Sequence, residues 1–286
     1  ASDGFVSGEG FATAATTGSI TNAGTADNGV VYTLRSSTQS GNYSISVEPG
    51  TLTITQRMVM ISAIDASKNY GATDPAFSYS IKTGVIGGTT YYSILPADLS
   101  GVTVTVNRTG FDSDVGVYAD VLEPSVSATP LVESNYLFST TTADFTINPQ
   151  VVYNLNTTDK VTGFPQTSWF TLGTDATVAT ATGVQRIGYH LIGWEDAVTG
   201  EEIALGGTIP AISDNHTLNA IWEIAYNDVL YVKGTTDTVR DMPDDLTMQQ
   251  YGTKITVSSI TPYHSGYDFL YWKTTSFDGT EQTFNP

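Results

Sequence analysis

Gly188-Tyr189-His190-Leu191-Ile192-Gly193-Trp194 returns later in the chain as Gly266-Tyr267-Asp268-Phe269-Leu270-Tyr271-Trp272. Gly, Tyr and Trp each lie 78 positions from their copies, and the same offset carries Val151-Val152-Tyr153 onto Val229-Leu230-Tyr231 and Pro165 onto Pro243. A shift held over that distance without net insertion marks a duplicated structural unit. Between the copies His190 becomes Asp268 and Gly193 becomes Tyr271, while a glycine and two large rings persist. Those are the needs of a turn and a small core, so the stretch identifies a module and not a ligand.

Outward from this stretch, the unit at residues 150–223 reads as a series of strands. Val151-Val152-Tyr153-Asn154-Leu155 opens it, Ala176-Thr177-Val178-Ala179 and residues 189–194 follow, and Thr217-Leu218-Asn219-Ala220-Ile221-Trp222 closes it with Leu218, Ala220 and Trp222 on one face. The unit at 224–286 repeats the opening and the Gly-Tyr-…-Trp stretch. The counterpart of Trp222 falls beyond residue 286, so its closing strand is expected to be missing and its sheet edge unpaired.

A second repeat lies upstream. Asn42 to Asn135 and Ile54 to Ile147 are both offsets of 93 residues. Residues 57–149 are expected to form one unit, with strands at Val59-Met60-Ile61-Ser62-Ala63, residues 77–81, residues 102–106, Val115-Gly116-Val117-Tyr118, residues 135–138 and residues 144–147. Residues 1–56 read as the back part of such a unit, with strands at residues 30–34, 43–47 and 51–55. Tyr91-Tyr92-Ser93-Ile94-Leu95 reads as a strand or one helical turn. Helix content should be low; the best candidates are around residues 89–98 and 241–251. The short joints Gln56-Arg57, Pro149-Gln150 and Glu223-Ile224 leave little slack between units.

Two resemblances emerge. Lys68-Asn69-Tyr70-Gly71-Ala72-Thr73-Asp74-Pro75-Ala76-Phe77-Ser78-Tyr79, with Val115-Gly116-Val117-Tyr118, Asn135-Tyr136 and Phe145-Thr146-Ile147, resembles the "YG…DP…Y", "VGxY", "NY" and "LTI" order of MBG-type repeats. Asn42-Tyr43 and Gly50-Thr51-Leu52-Thr53-Ile54 repeat its closing part. Residues 188–194 and 217–222 resemble the Listeria–Bacteroides repeat, the B-repeat of internalin-type surface proteins. The chain departs from that pattern where Asn154-Leu155-Asn156-Thr157 replaces the usual Asn-Gly-Gly. The resemblances imply a mainly β chain of tandem small β-rich modules in an extended array, β-grasp (ubiquitin-like) for the B-repeat units and β-grasp or immunoglobulin-like for the others. They also imply an extracellular place on a bacterial, Gram-positive cell surface, attached to the cell wall.

Composition agrees with β structure. Only 14% of the 286 residues are charged, and Thr, Val, Tyr, Gly and Asn suit strands and tight turns. The net charge of −18 opposes nucleic acid and an anionic membrane surface. No apolar run approaches a membrane span, so no membrane insertion is expected. With no cysteine, neither a disulfide nor a thiolate metal site is possible. Ala1-Ser2-Asp3-Gly4 has neither the basic start nor the apolar centre of a signal peptide, and the chain reads as an internal piece of a longer protein.

Catalytic chemistry finds no support. There is no Gly-x-Ser-x-Gly elbow, no His-Glu-x-x-His and no phosphate loop, so no catalytic, cofactor or zinc residues are assigned and no enzyme is expected. His190 is expected to face solvent. For calcium the candidates are Asp112 and Asp114 in one turn, and Asp241, Asp244 and Asp245 in an acidic knot. Neither set has a twelve-residue calcium loop, and both suit turn or helix-end chemistry. For glycans the candidates are Tyr91, Tyr92, Trp169, Phe170 and Tyr263, because flat rings stack on sugar faces. Most aromatic rings are better explained as core plugs. Trp169 stands out, since its copy position holds Thr247. A Lys–Asn or Lys–Asp isopeptide bond would require Lys68, Lys82 or Lys254 in an apolar core. The expected function is a non-catalytic stalk or adhesion segment of a secreted surface protein, contacting its neighbouring modules and host or matrix glycan or protein. The alternatives are a glycan- or mucin-binding module and an ancillary region of a large secreted enzyme.

Overall fold

A computed structural model describes residues 4–110, 112–275 and 279–285; Ala1-Ser2-Asp3, at the expected lack of a leader, and the final Pro286 lie outside them. Strands hold 47% of the described residues and helices 4%, so the protein is mainly β and built of many small sheets. It divides into two compact units, Ala1–Ile147 and Asn148–Pro286.

In the first unit, residues 57–147 hold the packed part. One sheet has the order Tyr136–Thr141, Arg57–Ala63, Tyr79–Lys82, and the first two of these strands run parallel. The other has the order Val102–Arg108, Gly116–Ala128, Ala143–Asn148, Ala66–Asn69. The expected alternation at Val59, Ile61 and Ala63 puts all three inside. Val59, Ile61 and Tyr136 of the first sheet pack with Val102, Val104 and Val126 of the second. Ala63 packs with Leu122, Phe145 and Ile147. The Gly116–Ala128 strand is far longer than Val115-Gly116-Val117-Tyr118 alone suggests. Its register against Ala143–Asn148 shifts between Tyr118 and Leu122. Asp120 lies there at a φ of 57°, and the Asp144 carboxylate accepts its amide at 2.9 Å. The side chain supplies the bond that the broken ladder withholds.

Residues 4–56 form two separate two-stranded ladders, Phe11–Thr16 with Val30–Leu34 and Gly24–Asn28 with Gly50–Ile54. Phe11–Thr16 and Gly24–Asn28 stand outside the expected strands, whereas Val30–Leu34 and Gly50–Ile54 fall on them. The expected strand at 43–47 does not form. Tyr43 instead turns its ring to Phe5 at 4.7 Å, donates its hydroxyl to Glu9 and accepts the Val6 amide at 3.1 Å.

In the second unit, residues 148–225 form a seven-stranded sheet. Its central order is Ser168–Trp169, Gln150–Asn154, His216–Ile224, Tyr189–Asp196. The opening strand Gln150–Asn154 and the closing strand His216–Ile224 lie side by side and parallel. The closing strand also pairs antiparallel with the central strand Tyr189–Asp196, placing Trp222 opposite Leu191 and Ala220 opposite Trp194. Trp194, Leu218, Ala220 and Val151 are wholly buried there, and Trp222 packs against them.

Residues 226–285 are organised differently. Tyr226–Val229 pairs with Leu246–Gln250, and Trp272–Thr275 with Glu281–Phe284. The expected opening strand therefore stops at Val229. Residues 268–271 enter no ladder, although their counterparts are strand. A strand is held by its neighbours' hydrogen bonds, and among the described residues nothing pairs with these. Two helix expectations fail. Residues 241–251 contain the strand Leu246–Gln250, because the edge at Tyr226–Val229 offers ladder bonds that a short isolated helix lacks. Residues 89–98 begin as Thr89–Tyr91, paired with Gly84–Ile86 across Gly87-Gly88. Both glycines have positive φ, at 58° and 83°, as a tight hairpin turn demands.

Candidate functional site

The core that the repeated stretch builds is a ring pair. Tyr153 and Trp194 stand 4.7 Å apart between centroids, and their copies Tyr231 and Trp272 stand 4.8 Å apart. The Tyr153 hydroxyl accepts the Ala179 amide at 2.8 Å, while the Tyr231 hydroxyl accepts the Ser258 amide at 2.7 Å. Burial pushes the Tyr153 phenol up, against the lowering effect of the bonds it accepts. The Trp194 Nε1–H donates to the Ala179 carbonyl at 2.8 Å. The Trp272 Nε1–H is buried without a hydrogen-bond partner among the described residues.

Gly188 and Gly266 keep the same backbone, with φ of 77° and 82°, which explains why the turn retains glycine. Gly188 has a second reason. A Cβ there would lie 2.0 Å from the Tyr251 ring, whereas at Gly266 it would meet nothing within 4 Å. Tyr251 also donates its amide to the Ala225 carbonyl at 2.8 Å, and the Ala225 amide bonds the Gly188 carbonyl at 2.8 Å.

The calcium candidates do not converge. Asp112 and Asp114 are exposed in the turn before the Gly116–Ala128 strand. Their backbone carbonyls accept from Arg108 and from the Tyr118 hydroxyl. Burial, and then these two carboxylates, push the Tyr118 phenol up. Asp241 sits at a φ of 55°, Asp244 is exposed, and the Asp245 carboxylate is engaged by the Tyr231 amide at 2.7 Å. The helix-end role considered for this knot falls with the helix. Among the described residues, no three His, Asp or Glu side chains gather as a metal site.

The aromatic candidates are dispersed within their own units. Tyr91 is half-buried; Tyr92 is 44% exposed, with the Arg57 guanidinium 4.6 Å from its ring. Trp169 is 49% exposed. Its neighbour Phe170 turns inward against the core, so the pair offers one free ring and not two. Tyr263 is exposed and pairs its backbone with Arg240. The lysines considered for a cross-link do not lie in an apolar core. Lys82 and Lys254 are exposed, and Lys68 forms an ion pair with Asp74 at 2.8 Å, an acid that Arg108 also holds at 3.0 Å.

Three features had no sequence signal. Asp196 is 2% exposed. It accepts the Val198 and Thr199 amides and bonds His216 Nδ1 at 2.5 Å. Burial pushes its carboxyl up, but the bonds from His216 and the two amides outweigh burial and hold it below its usual 3.8. Arg186 grips Asp159 through Nε and Nη2 at 2.9 and 2.6 Å and lies over the Tyr189 and Trp222 rings at 3.8 and 5.0 Å. Lastly, two grooves of about 470 and 460 Å³ are lined by residues of the 229–284 segment.

Comparison with family models, curated proteins and solved structures finds no match. No helix among the described residues is long and apolar enough to cross a membrane.

Proposed function

We propose that this chain is a non-catalytic stalk or adhesion segment of a secreted bacterial cell-surface protein, made of four modules at residues 1–56, 57–149, 150–223 and 224–286. The observation that carries this reading is the ring pair repeated 78 residues apart, Tyr153–Trp194 and Tyr231–Trp272, at nearly one separation. Repetition spends sequence on copying a structural unit, as tandem scaffolds do. The motif orders resembling MBG-type and B-repeat modules support a surface location. The parallel opening and closing strands at the centre of the 148–225 sheet support a β-grasp reading of that module. The two sheets sharing a core in residues 57–147 support an immunoglobulin-like one.

Small-angle scattering tests the stalk. A single compact domain of this length has a radius of gyration of about 19 Å. A tandem array gives a clearly larger value and an elongated distance distribution. A value at the compact limit would sink the reading.

A second reading, glycan binding, is favoured by the half-exposed Trp169 ring. On a glycan array it predicts signals that Trp169→Ala abolishes. Signals that survive the substitution, or none at all, count against it.

A further inference from the structure

The groove of about 470 Å³ is lined by two stretches of chain, residues 232–242 and 262–273. That volume suits a small organic molecule. Comparison of the two copies separates what supports the groove from what faces it. Gly266, Tyr267 and Trp272 repeat Gly188, Tyr189 and Trp194, and Asp237 repeats Asp159. Around them the lining changes: Arg186 becomes His264, His190 becomes Asp268, Gly193 becomes Tyr271 and Glu195 becomes Lys273. The supporting contacts survive the exchange. Arg186 holds Asp159 at 2.6 Å and lies 3.8 Å from the Tyr189 ring. His264 Nε2 stands 3.2 Å from Asp237 Oδ2, and its ring stacks on Tyr267 at 4.5 Å. The frame is therefore shared, whereas the wall is not. A glycine replaced by tyrosine adds a ring that the shared core does not need, and Tyr271 is 45% exposed.

We infer that this groove is a binding site for a neutral sugar, a pyranose presented by an oligosaccharide. The chemistry of the wall specifies it. Tyr271 and Tyr267 offer ring faces on which the C–H face of a pyranose stacks, and Tyr267 is 71% exposed although His264 holds it in place. The Asp268 carboxylate has no hydrogen-bond or ion-pair partner among the described residues. Its two oxygens lie side by side and accept from two adjacent hydroxyls of the sugar. Such charge-assisted bonds are stronger than bonds between neutral groups. Lys273 is held only loosely, 3.5 Å from Glu281, and is available to donate to a sugar oxygen. Charge selects against other small ligands. Lys233 and Lys273 offset Asp237 and Asp268 on the wall, so the groove favours neither a cation nor an anion. The net charge of −18 opposes anionic sugars as well. His264 and Asp237 are positioning residues here. The inference uses different residues from the Trp169 reading and stands whether or not the chain works at a cell surface.

The test titrates the full 286-residue chain with lactose, maltose, cellobiose and chitobiose, and with sialyllactose as the anionic control. Calorimetry and saturation-transfer NMR read the binding. Saturable binding of at least one neutral disaccharide is expected, with transfer from aromatic protons to one face of the sugar. Tyr271→Gly restores the residue of the earlier copy, and Asp268→Ala removes the free carboxylate. Each should weaken binding by about tenfold or more, the worth of one bond to a charged group. Both side chains are exposed, so both variants should fold, which circular dichroism checks. Trp169→Ala should leave this binding unchanged. Absence of saturable binding by every neutral probe, preference for sialyllactose, or indifference to both groove substitutions would each overturn the proposal. So would loss of binding on Trp169→Ala alone, which would place the sugar on that ring instead.

Discussion

The Trp194 indole donates to the Ala179 carbonyl at 2.8 Å, and with the Tyr153 hydroxyl, which accepts the Ala179 amide, it ties the centre of the 148–225 sheet to the segment that follows Ala176–Thr177. The ring is wholly buried against Tyr153 and Phe164. Its copy Trp272 keeps the tyrosine partner, yet it is only partly buried and finds no acceptor among the described residues.

Trp194→Ala should therefore cost about 3–5 kcal/mol, the usual range for emptying a large aromatic site in a core. Trp272→Ala should cost less than half of that. Chemical denaturation of the full chain, with hydrogen exchange read separately over residues 148–225 and 226–285, makes the comparison. Equal losses would mean that the two copies are packed alike.

The two turn glycines separate backbone strain from steric conflict. Gly266→Ala meets open space and should cost about 1–2 kcal/mol, for its positive φ alone. Gly188→Ala adds a collision with the Tyr251 ring and should cost more. A double-mutant cycle with Tyr251→Ala should recover part of the excess, with a coupling of about 0.5–3 kcal/mol. Strict additivity would show that Tyr251 does not press on Gly188 in solution.

Asp196 predicts an acid sensitivity with a definite sign. Its folded carboxyl sits below the usual 3.8. The stability it contributes is thus fully present above that value and is lost as pH falls through the lower folded one. Unfolding of residues 148–225 should change little from this source between about pH 7 and pH 5, and should become easier below about pH 4. Asp196→Asn should flatten the acid limb. An unchanged limb in that variant would assign the acid loss to other carboxylates.

Arg186 contributes through its flat guanidinium more than through its charge. Its partner Asp159 is half exposed, so Asp159→Asn should cost no more than about 1 kcal/mol. Arg186→Lys keeps the charge and loses the fork and the ring stacking over Tyr189 and Trp222. It should cost about as much or more, by thermal denaturation. A neutral Arg186→Lys would show that the stacking adds nothing.

Strand alternation made much of the fold legible. Val59-Ile61-Ala63 and Leu218-Ala220-Trp222 face their cores as their period of two requires. Partners were less legible, because a strand depends on what lies beside it. Residues 43–47 alternate and residues 268–271 copy a strand, yet neither enters a ladder, whereas Leu246–Gln250 has helix-compatible residues and becomes a strand because an edge is available. The candidate sites were legible only as residue types. Nothing in the sequence joins Asp196 to His216 or Arg186 to Asp159, since those contacts are made by the register of distant strands. The turn acids and surface rings, conspicuous in the sequence, are dispersed by the same register.

Stretching a single tethered chain tests the stalk of independent modules most directly. Residues 57–147 and 148–225 have separate cores, so the account predicts two discrete unfolding events. Each should release a length set by its own residue count, at roughly 3.3–3.6 Å per residue less the folded span. Trp194→Ala should lower the force of one event only. A single cooperative event for the whole chain, or weakening of both events by Trp194→Ala, would contradict the account.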